Sequence, residues 1–232
     1  MARIIKLIEN HDDLAADLPL FRGVVPITRT VQRKSAQKFV RAILMNEHIA
    51  KLLERINQFE HETWLTAGCL AQTVWNVKSG RNAKSGIDDY DLIYFDEDTR
   101  WETEDRIIRQ CADLYSDVVG DVQIRNQARV PLWYQQKFGL LYPPVKEAPH
   151  SVRRFPSRAT AFAISVNSAG DICIYAPFGF KDTWDLLVRP NRRLDIPDVY
   201  QLKTGRWAET WPDLRVVPWA AASFVSHPIN PQ

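Results

Sequence analysis

The chain has 232 residues, 45% of them hydrophobic and 25% charged, and its 30 basic and 28 acidic residues leave a formal net charge of +2. That composition is too apolar for a disordered chain, and its charge is too balanced for whole-molecule attraction to nucleic acid. No stretch reaches the roughly 18 uncharged apolar residues of a membrane helix, Lys6, Glu9, Asp12 and Asp13 interrupt any export signal, and Cys69, Cys111 and Cys173 form no C-x-x-C pair. The expectation is a cytoplasmic protein with buried thiols, no membrane partner and no internal repeat.

Residues 1–34, broken by Pro19 and Pro26, read as an N-terminal extension. From Ser35 the positions Phe39, Ala42, Ile43, Ile49, Leu52, Leu53 and Ile56 recur at three- and four-residue steps, which predicts one helix with one buried face. Trp64 to Ala67 then reads as a short strand, Gly68 as a turn, and Leu70, Val74 and Trp75 as the apolar side of a second helix. The polar stretch 78–86 is a loop, and residues 87–95, rich in aromatic and β-branched side chains, form a strand stopped by Asp96, Glu97 and Asp98. Thr103, Glu104 and Asp105 open a further helix, residues 122–130 read as a strand, and residues 161–166 and 171–175 as a hairpin turning at Asn167-Ser168-Ala169-Gly170. Six prolines after Arg189 suggest a loosely structured tail over 193–232.

On a strand, alternate side chains share a face, so Asp89 and Asp91 converge while Asp88 and Tyr90 point away. Paired carboxylates suit Mg²⁺ or Mn²⁺, hard cations shared between protein oxygens and substrate phosphates. An acidic strand end in water has the same sequence. Upstream, the helix that opens at Gly68 offers free backbone N–H groups and a dipole to a phosphate. On the strand from Val122, Gln123, Arg125, Gln127 and Arg129 share a side, and guanidinium forks suit phosphate oxygens. Over residues 122–160 seven basic side chains stand against Glu147 alone, with Trp133, Tyr134 and Phe138 interleaved, a pattern that also suits single-stranded nucleic acid. No G-x-S-x-G turn, Walker-type phosphate loop or H-E-x-x-H helix occurs, and the five histidines are scattered.

Gly68-Cys69 followed by Asp89-Tyr90-Asp91 resembles the DNA polymerase β-like nucleotidyltransferase superfamily. Ala67 to Asn76, Asp88 to Asp96, Arg125 to Val130, Leu132 to Tyr134, Lys137 to Gly139, Tyr175 to Phe180 and Val188 to Asn191 are similar to a bacterial family of stand-alone nucleotidyltransferases, over about residues 35–192. The resemblance implies an α+β fold, a mixed β-sheet flanked by helices, with the domain over 35–192 and the tail packed on it or trailing. It implies two divalent ions at Asp89 and Asp91, a nucleoside triphosphate against Gly68 and Cys69, and transfer of the nucleoside monophosphate to an acceptor hydroxyl with release of pyrophosphate. Two positions depart from the pattern: Cys69 stands where a serine is usual, and Gln123 stands where the third carboxylate is expected, with Asp121 two residues earlier on the same face. A degenerate member that binds nucleotide or a partner without turnover is the alternative, and a nucleic-acid-binding module is a further one.

Overall fold

In the computed structural model, which describes residues 30–220 and their side chains from residue 34 onward, the first apolar period forms two helices, not one. Helix α1 (Thr30–Leu44) ends before Asn46 and helix α2 (Glu47–Arg55) begins after it. The Asn46 side chain accepts from the backbone N–H groups of His48 and Ile49, and this cap interrupts an otherwise continuous helical pattern. The expected extension over 1–34 lies mostly outside the described residues.

The chain continues through β1 (Trp64–Thr66), α3 (Gly68–Lys78), β2 (Asp89–Tyr94), α4 (Trp101–Leu114), β3 (Asp121–Asn126), α5 (Val130–Phe138), β4 (Ala163–Val166) and β5 (Ile172–Tyr175). The five strands form one mixed sheet in the order β3-β2-β1-β4-β5. β2 and β3 are parallel, as the intervening α4 crossover allows, and the other neighbours are antiparallel. The expected α+β fold with a mixed sheet is therefore present. Strand alternation splits the core in two. Leu65, Tyr90, Leu92, Ile124 and Ile164 join Phe39, Ile43, Leu52 and Leu70 of the helices in the larger cluster. Trp64, Ile93, Ala163 and Cys173 join Val152 of a 3-10 turn (Ala148–Arg154) in the smaller one. All three cysteines are free and buried, as expected.

Two segments depart from the sequence reading. The strand expected over 122–130 stops at Asn126, which is 1% exposed. Its side-chain oxygen accepts from the N–H groups of Asp96 and Ala128, and its amide donates to the Asp96 carbonyl, so the backbone turns and enters α5. The described part of the tail is not loosely structured. After α6 (Lys181–Trp184) and β6 (Leu187–Val188), which precede it, residues 193–220 contain α7 (Pro197–Thr210) and β7 (Arg215–Val216), with β6 and β7 paired in parallel. Pro197 occupies the first turn of α7, where its missing N–H costs nothing. Tyr200, Thr204 and Trp207, with Trp211 just beyond the helix, form its buried stripe. Trp75 of α3 meets the rings of Trp207 and Trp211 edge-on at 5.6 and 5.5 Å.

Candidate functional site

The antiparallel register sets Thr66 opposite Asp91, and the parallel register sets Asp89 opposite Asp121 and Asp91 opposite Gln123. Asp89, Asp91, Asp121 and Gln123 thus share the sheet face of Ile93 and Trp64. There a cavity of about 600 Å³ opens. Its floor holds Asp89, Asp91 and Asp121, with Asp88 at the rim. One wall is the turn Ala67-Gly68 with Gln72 of α3, another is Phe155, Pro156 and Thr160, and the third is α7 with Lys203, Arg206 and Trp207.

Electrostatics mark the floor as a place where negative charge is concentrated. Burial pushes the Asp91 carboxyl up to about 6 from an ordinary 3.8, and the neighbouring Asp89 and Asp121 add to the rise while Lys203 and Arg125 oppose it. Among the described residues no three His, Cys, Asp or Glu side chains are already drawn together as a metal-ligating cluster. Beside the floor Gln123 donates from Nε2 to Oδ2 of Asp121.

Beneath the floor, Tyr90 points into the larger core, as alternation requires. Its hydroxyl meets the amide of Asn46 at 3.4 Å and Nδ1 of His48 at 3.2 Å. Asn46 also donates to Thr73 Oγ1 at 3.1 Å, and Thr73 donates to the Cys69 carbonyl at 2.7 Å. These bonds tie the strand bearing the carboxylates to the helix that starts at Gly68. His48 and Asn46 could not be linked to the site from spacing alone, since they come from the break between α1 and α2.

The turn before α3 carries strain. Ala67 has φ +67° and ψ −139°, a conformation that costs a non-glycine residue about 1 to 3 kcal/mol. Ala67→Gly is therefore expected to raise stability by about 1 kcal/mol, the strain relief less the entropy that glycine loses on folding. Urea unfolding checks this; a lower midpoint in the variant would contradict a strained turn.

The remaining sequence candidates divide. Gly68 lines the cavity, and a Cβ there would approach Gln72 Nε2 to 3.2 Å. Cys69 follows at the first turn of α3, but its side chain is 1% exposed and its thiol donates to the Thr66 carbonyl, so it offers substrate only its backbone N–H. Burial holds that thiol well above its ordinary pKa. Arg125 is exposed beside Ile93 and lies outside the cavity lining. Arg129 lies off the strand: the expected shared face does not extend to it, because the strand ends at Asn126. Its guanidinium instead pairs with Glu104 at 2.6 Å and donates to the Thr99 carbonyl, and the other Glu104 oxygen accepts from the N–H of Asn126.

The wall from α7 was absent from the sequence reading. Its signal was the four-, three-, four-residue spacing of Tyr200, Thr204, Trp207 and Trp211, which predicts one buried stripe with 203, 206 and 210 beside it. Trp211 donates from Nε1 to Asn76 Oδ1 at 2.7 Å, and Arg81 donates to the Thr210 carbonyl at 2.5 Å, which pins this wall to α3 and its following loop.

A family described as "Nucleotidyltransferase" matches residues 57–216. A solved structure described as revealing "a CCA-adding enzyme head domain" superposes with a TM-score of 0.64 at 22% identity, covering 78% of this chain and 95% of that one. No curated protein gives a significant match. No helix among the described residues is long and apolar enough to cross a membrane.

Proposed function

The chain belongs to the nucleotidyltransferase family, and from that premise we propose that its cavity transfers a nucleoside monophosphate from a nucleoside triphosphate to an acceptor hydroxyl, releasing pyrophosphate. The observation that carries this reading is the juxtaposition of Asp89, Asp91 and Asp121 with the free start of α3 across one cavity.

The donor set fits a divalent cation. It consists of carboxylate oxygens from one sheet face, and the burial and neighbouring negative charge that raise Asp91 are what a bound cation would offset. Asp89 and Asp91 would hold Mg²⁺ or Mn²⁺, which when bound supplies charge stabilisation to the phosphates and to the leaving pyrophosphate. The chain's own groups do the rest. The first backbone N–H groups of α3 bind phosphate oxygens, with Gly68 permitting close approach. Asp121 takes the proton of the acceptor hydroxyl on Oδ1, its Oδ2 being occupied by the Gln123 amide. The acceptor oxygen forms a bond to the α-phosphorus, the bond from that phosphorus to the bridging oxygen breaks, and the electron pair leaves with pyrophosphate.

Pyrophosphate release from a panel of nucleoside triphosphates, with Mg²⁺ or Mn²⁺ and an extract of candidate acceptors, tests the reaction. Release that requires acceptor supports it, and triphosphate binding without release from any pair contradicts it. That second outcome is the reading favoured by Gln123, an amide where a third carboxylate would complete the floor: nucleotide binding without turnover. Gln123→Glu distinguishes the two. It replaces the amide donor with a charge and is expected to raise transfer roughly tenfold at limiting Mg²⁺, the worth of about 1.4 kcal/mol in cation binding. Asp121→Asn is expected to lower transfer. A Gln123→Glu variant with unchanged Mg²⁺ dependence would show that position 123 lies outside the cation site.

A further inference from the structure

None of the basic side chains over 122–160 lines the cavity, yet part of that run is gathered elsewhere on the protein. Asn191, 2% exposed, donates from its amide to the Arg153 and Phe155 carbonyls at 2.7 and 2.8 Å, and the Arg158 N–H donates to the Arg189 carbonyl at 3.1 Å. These bonds tie residues 153–158 to 189–193, two segments that carry six arginines and no acidic residue. Three of the six are engaged: Arg189 pairs with Asp182, Arg192 donates to the Trp219 carbonyl, and Arg154 lies over the Tyr142 ring. The other three meet at the end of β5. Arg153 donates from Nε to the Tyr175 hydroxyl, and the guanidinium groups of Arg158 and Arg193 lie over the Phe178 ring at 5.5 and 5.9 Å. Arg158 and Arg193 are exposed, and among the described residues neither guanidinium has a hydrogen bond or an ion pair. Two acidic residues are neighbours. Glu147, whose charge acts on Tyr175 against those of Arg153 and Arg193, lies 3.7 Å from His150, and Asp195 follows Arg193 by two residues. The cluster keeps an excess of positive charge.

The strand register relates this cluster to the carboxylates. Gln123, Asp91, Thr66, Ala163 and Tyr175 form one row across the sheet, so their side chains share a face. Tyr175 stands three strands from Asp91, about 14 Å at the usual strand spacing. The segment that carries Arg153 and Arg158 also supplies Phe155 and Pro156 to the cavity wall. We infer that Arg153, Arg158 and Arg193, gathered on Tyr175 and Phe178, hold a phosphate of the acceptor, which is therefore an extended, phosphate-bearing molecule. This rests on reading the cavity as the nucleotidyl-transfer site and names the class of the acceptor. A guanidinium stacked on an aromatic ring keeps its edge N–H donors free, and that fork matches phosphate oxygens in pairs. A neutral acceptor would leave the three cations unmet. An acceptor whose phosphate adjoins its reacting hydroxyl would set that phosphate among the carboxylates rather than at β5. An oligonucleotide and a long phosphorylated small molecule share the chemistry required.

The test joins binding and transfer in the whole protein, comparing the parent, Arg158→Ala/Arg193→Ala and a control, Arg100→Ala/Arg109→Ala, which removes two exposed arginines at α4. Titration calorimetry with a single-stranded hexanucleotide and with inorganic phosphate, in the absence of triphosphate, reads the cluster by itself. The Arg158/Arg193 variant is expected to bind one of these probes roughly tenfold more weakly than the parent, with a smaller salt dependence, and the control to bind it within about threefold. A loss confined to the hexanucleotide identifies a polynucleotide acceptor, and a loss for phosphate itself identifies a phosphorylated small molecule. In transfer from an α-labelled triphosphate to a limiting acceptor extract, the same variant is expected to label the acceptor roughly tenfold less than the parent, and Arg158→Lys/Arg193→Lys, which keeps both charges, to recover part of the loss. Treating the extract with nuclease or with phosphatase, the enzyme then being removed, should abolish labelling. Thermal unfolding without ligand confirms that each variant is folded. Equal binding of both probes by the parent and the folded Arg158/Arg193 variant would overturn the inference and leave the transfer reading intact, as would labelling that survives both treatments or an equal loss in the control. Arginine-dependent binding with no transfer from any triphosphate would contradict the transfer reading, and with it the acceptor role, and leave the phosphate site standing.

Discussion

Asp91→Asn is expected to abolish transfer and at the same time to stabilise the protein in the absence of divalent cation. The two effects have one cause. Asp91 sits in the floor beside Asp89 and Asp121, and burial first, then those neighbours, push its carboxyl up to about 6 from 3.8. Because the folded pKa is the higher one, the folded state holds the proton more tightly than the unfolded chain. The carboxyl therefore disfavours folding least below about pH 4, and stability falls as pH rises through about 6. At about 1.4 kcal/mol per pKa unit this amounts to at most about 3 kcal/mol at neutral pH, less where water screens the group. The amide has no such dependence. Relative to the parent, Asp91→Asn should unfold at a higher temperature at pH 8, and the difference should vanish toward pH 4. Added Mg²⁺ should stabilise the parent at pH 8 and leave the variant where it was. Transfer should fall at least about a hundredfold, the scale of losing one group that stabilises charge in the reaction. A variant less stable than the parent at pH 8, in folded protein, would show that Asp91 is held by partners rather than disfavoured by burial and its neighbours.

The largest effect on stability is expected from Trp211→Ala. Trp211 is 3% exposed, packs edge-on against Trp75 at 5.5 Å, and donates to Asn76, which is itself fully buried. Truncation leaves a cavity between α3 and the end of α7 and strands the Asn76 oxygen, a loss of about 3 to 5 kcal/mol by comparison with other buried aromatic truncations. For a domain of ordinary stability that is a large fraction of the total. Function should be damaged beyond the loss of folded protein, since Lys203 and Arg206 face the cavity from the helix that Trp211 anchors. Trp211→Phe separates the parts: it keeps a ring against Trp75 while losing the N–H and part of the indole's volume, so about 1 to 3 kcal/mol is expected. Chemical denaturation of the three proteins, with transfer measured at temperatures where all are folded, decides the matter. An alanine variant within 1 kcal/mol of the parent would mean that the wall from α7 is held elsewhere.

What could be read from the sequence was what local chemistry dictates. The Asp89–Asp91 pair follows from the two-residue period of a strand, the Gly68 turn from an apolar strand meeting an apolar helix, and the hairpin from Asn167 to Gly170. Register was harder. That Asp121 stands opposite Asp89, and Gln123 opposite Asp91, depends on which strands pair and in which direction, and a parallel pair closed by α4 leaves no turn residues to announce its register. Two misreadings share one physical source, a polar side chain that ends an element by bonding to backbone. Asn46 divides a continuous apolar period, and Asn126 stops a strand whose alternation runs on to Val130. The tail was misread because prolines drew attention from the stripe between them. Pro197 and Pro212 flank α7 rather than break it, and the helix gains its stability from Trp75, a residue more than 100 positions earlier.

The central claim is that this cavity moves the α-phosphate with its nucleoside, and isotope placement tests it directly. The parent protein, Mg²⁺ and an acceptor extract would be incubated in parallel with a nucleoside triphosphate labelled at the α-phosphate and with the same nucleotide labelled at the γ-phosphate. Transfer at Asp89, Asp91 and Asp121 predicts that the α-label enters the acceptor fraction while the γ-label appears only in pyrophosphate, and that Asp91→Asn eliminates both. Label from the γ-position in the acceptor, or in orthophosphate with the acceptor unlabelled, would contradict the account.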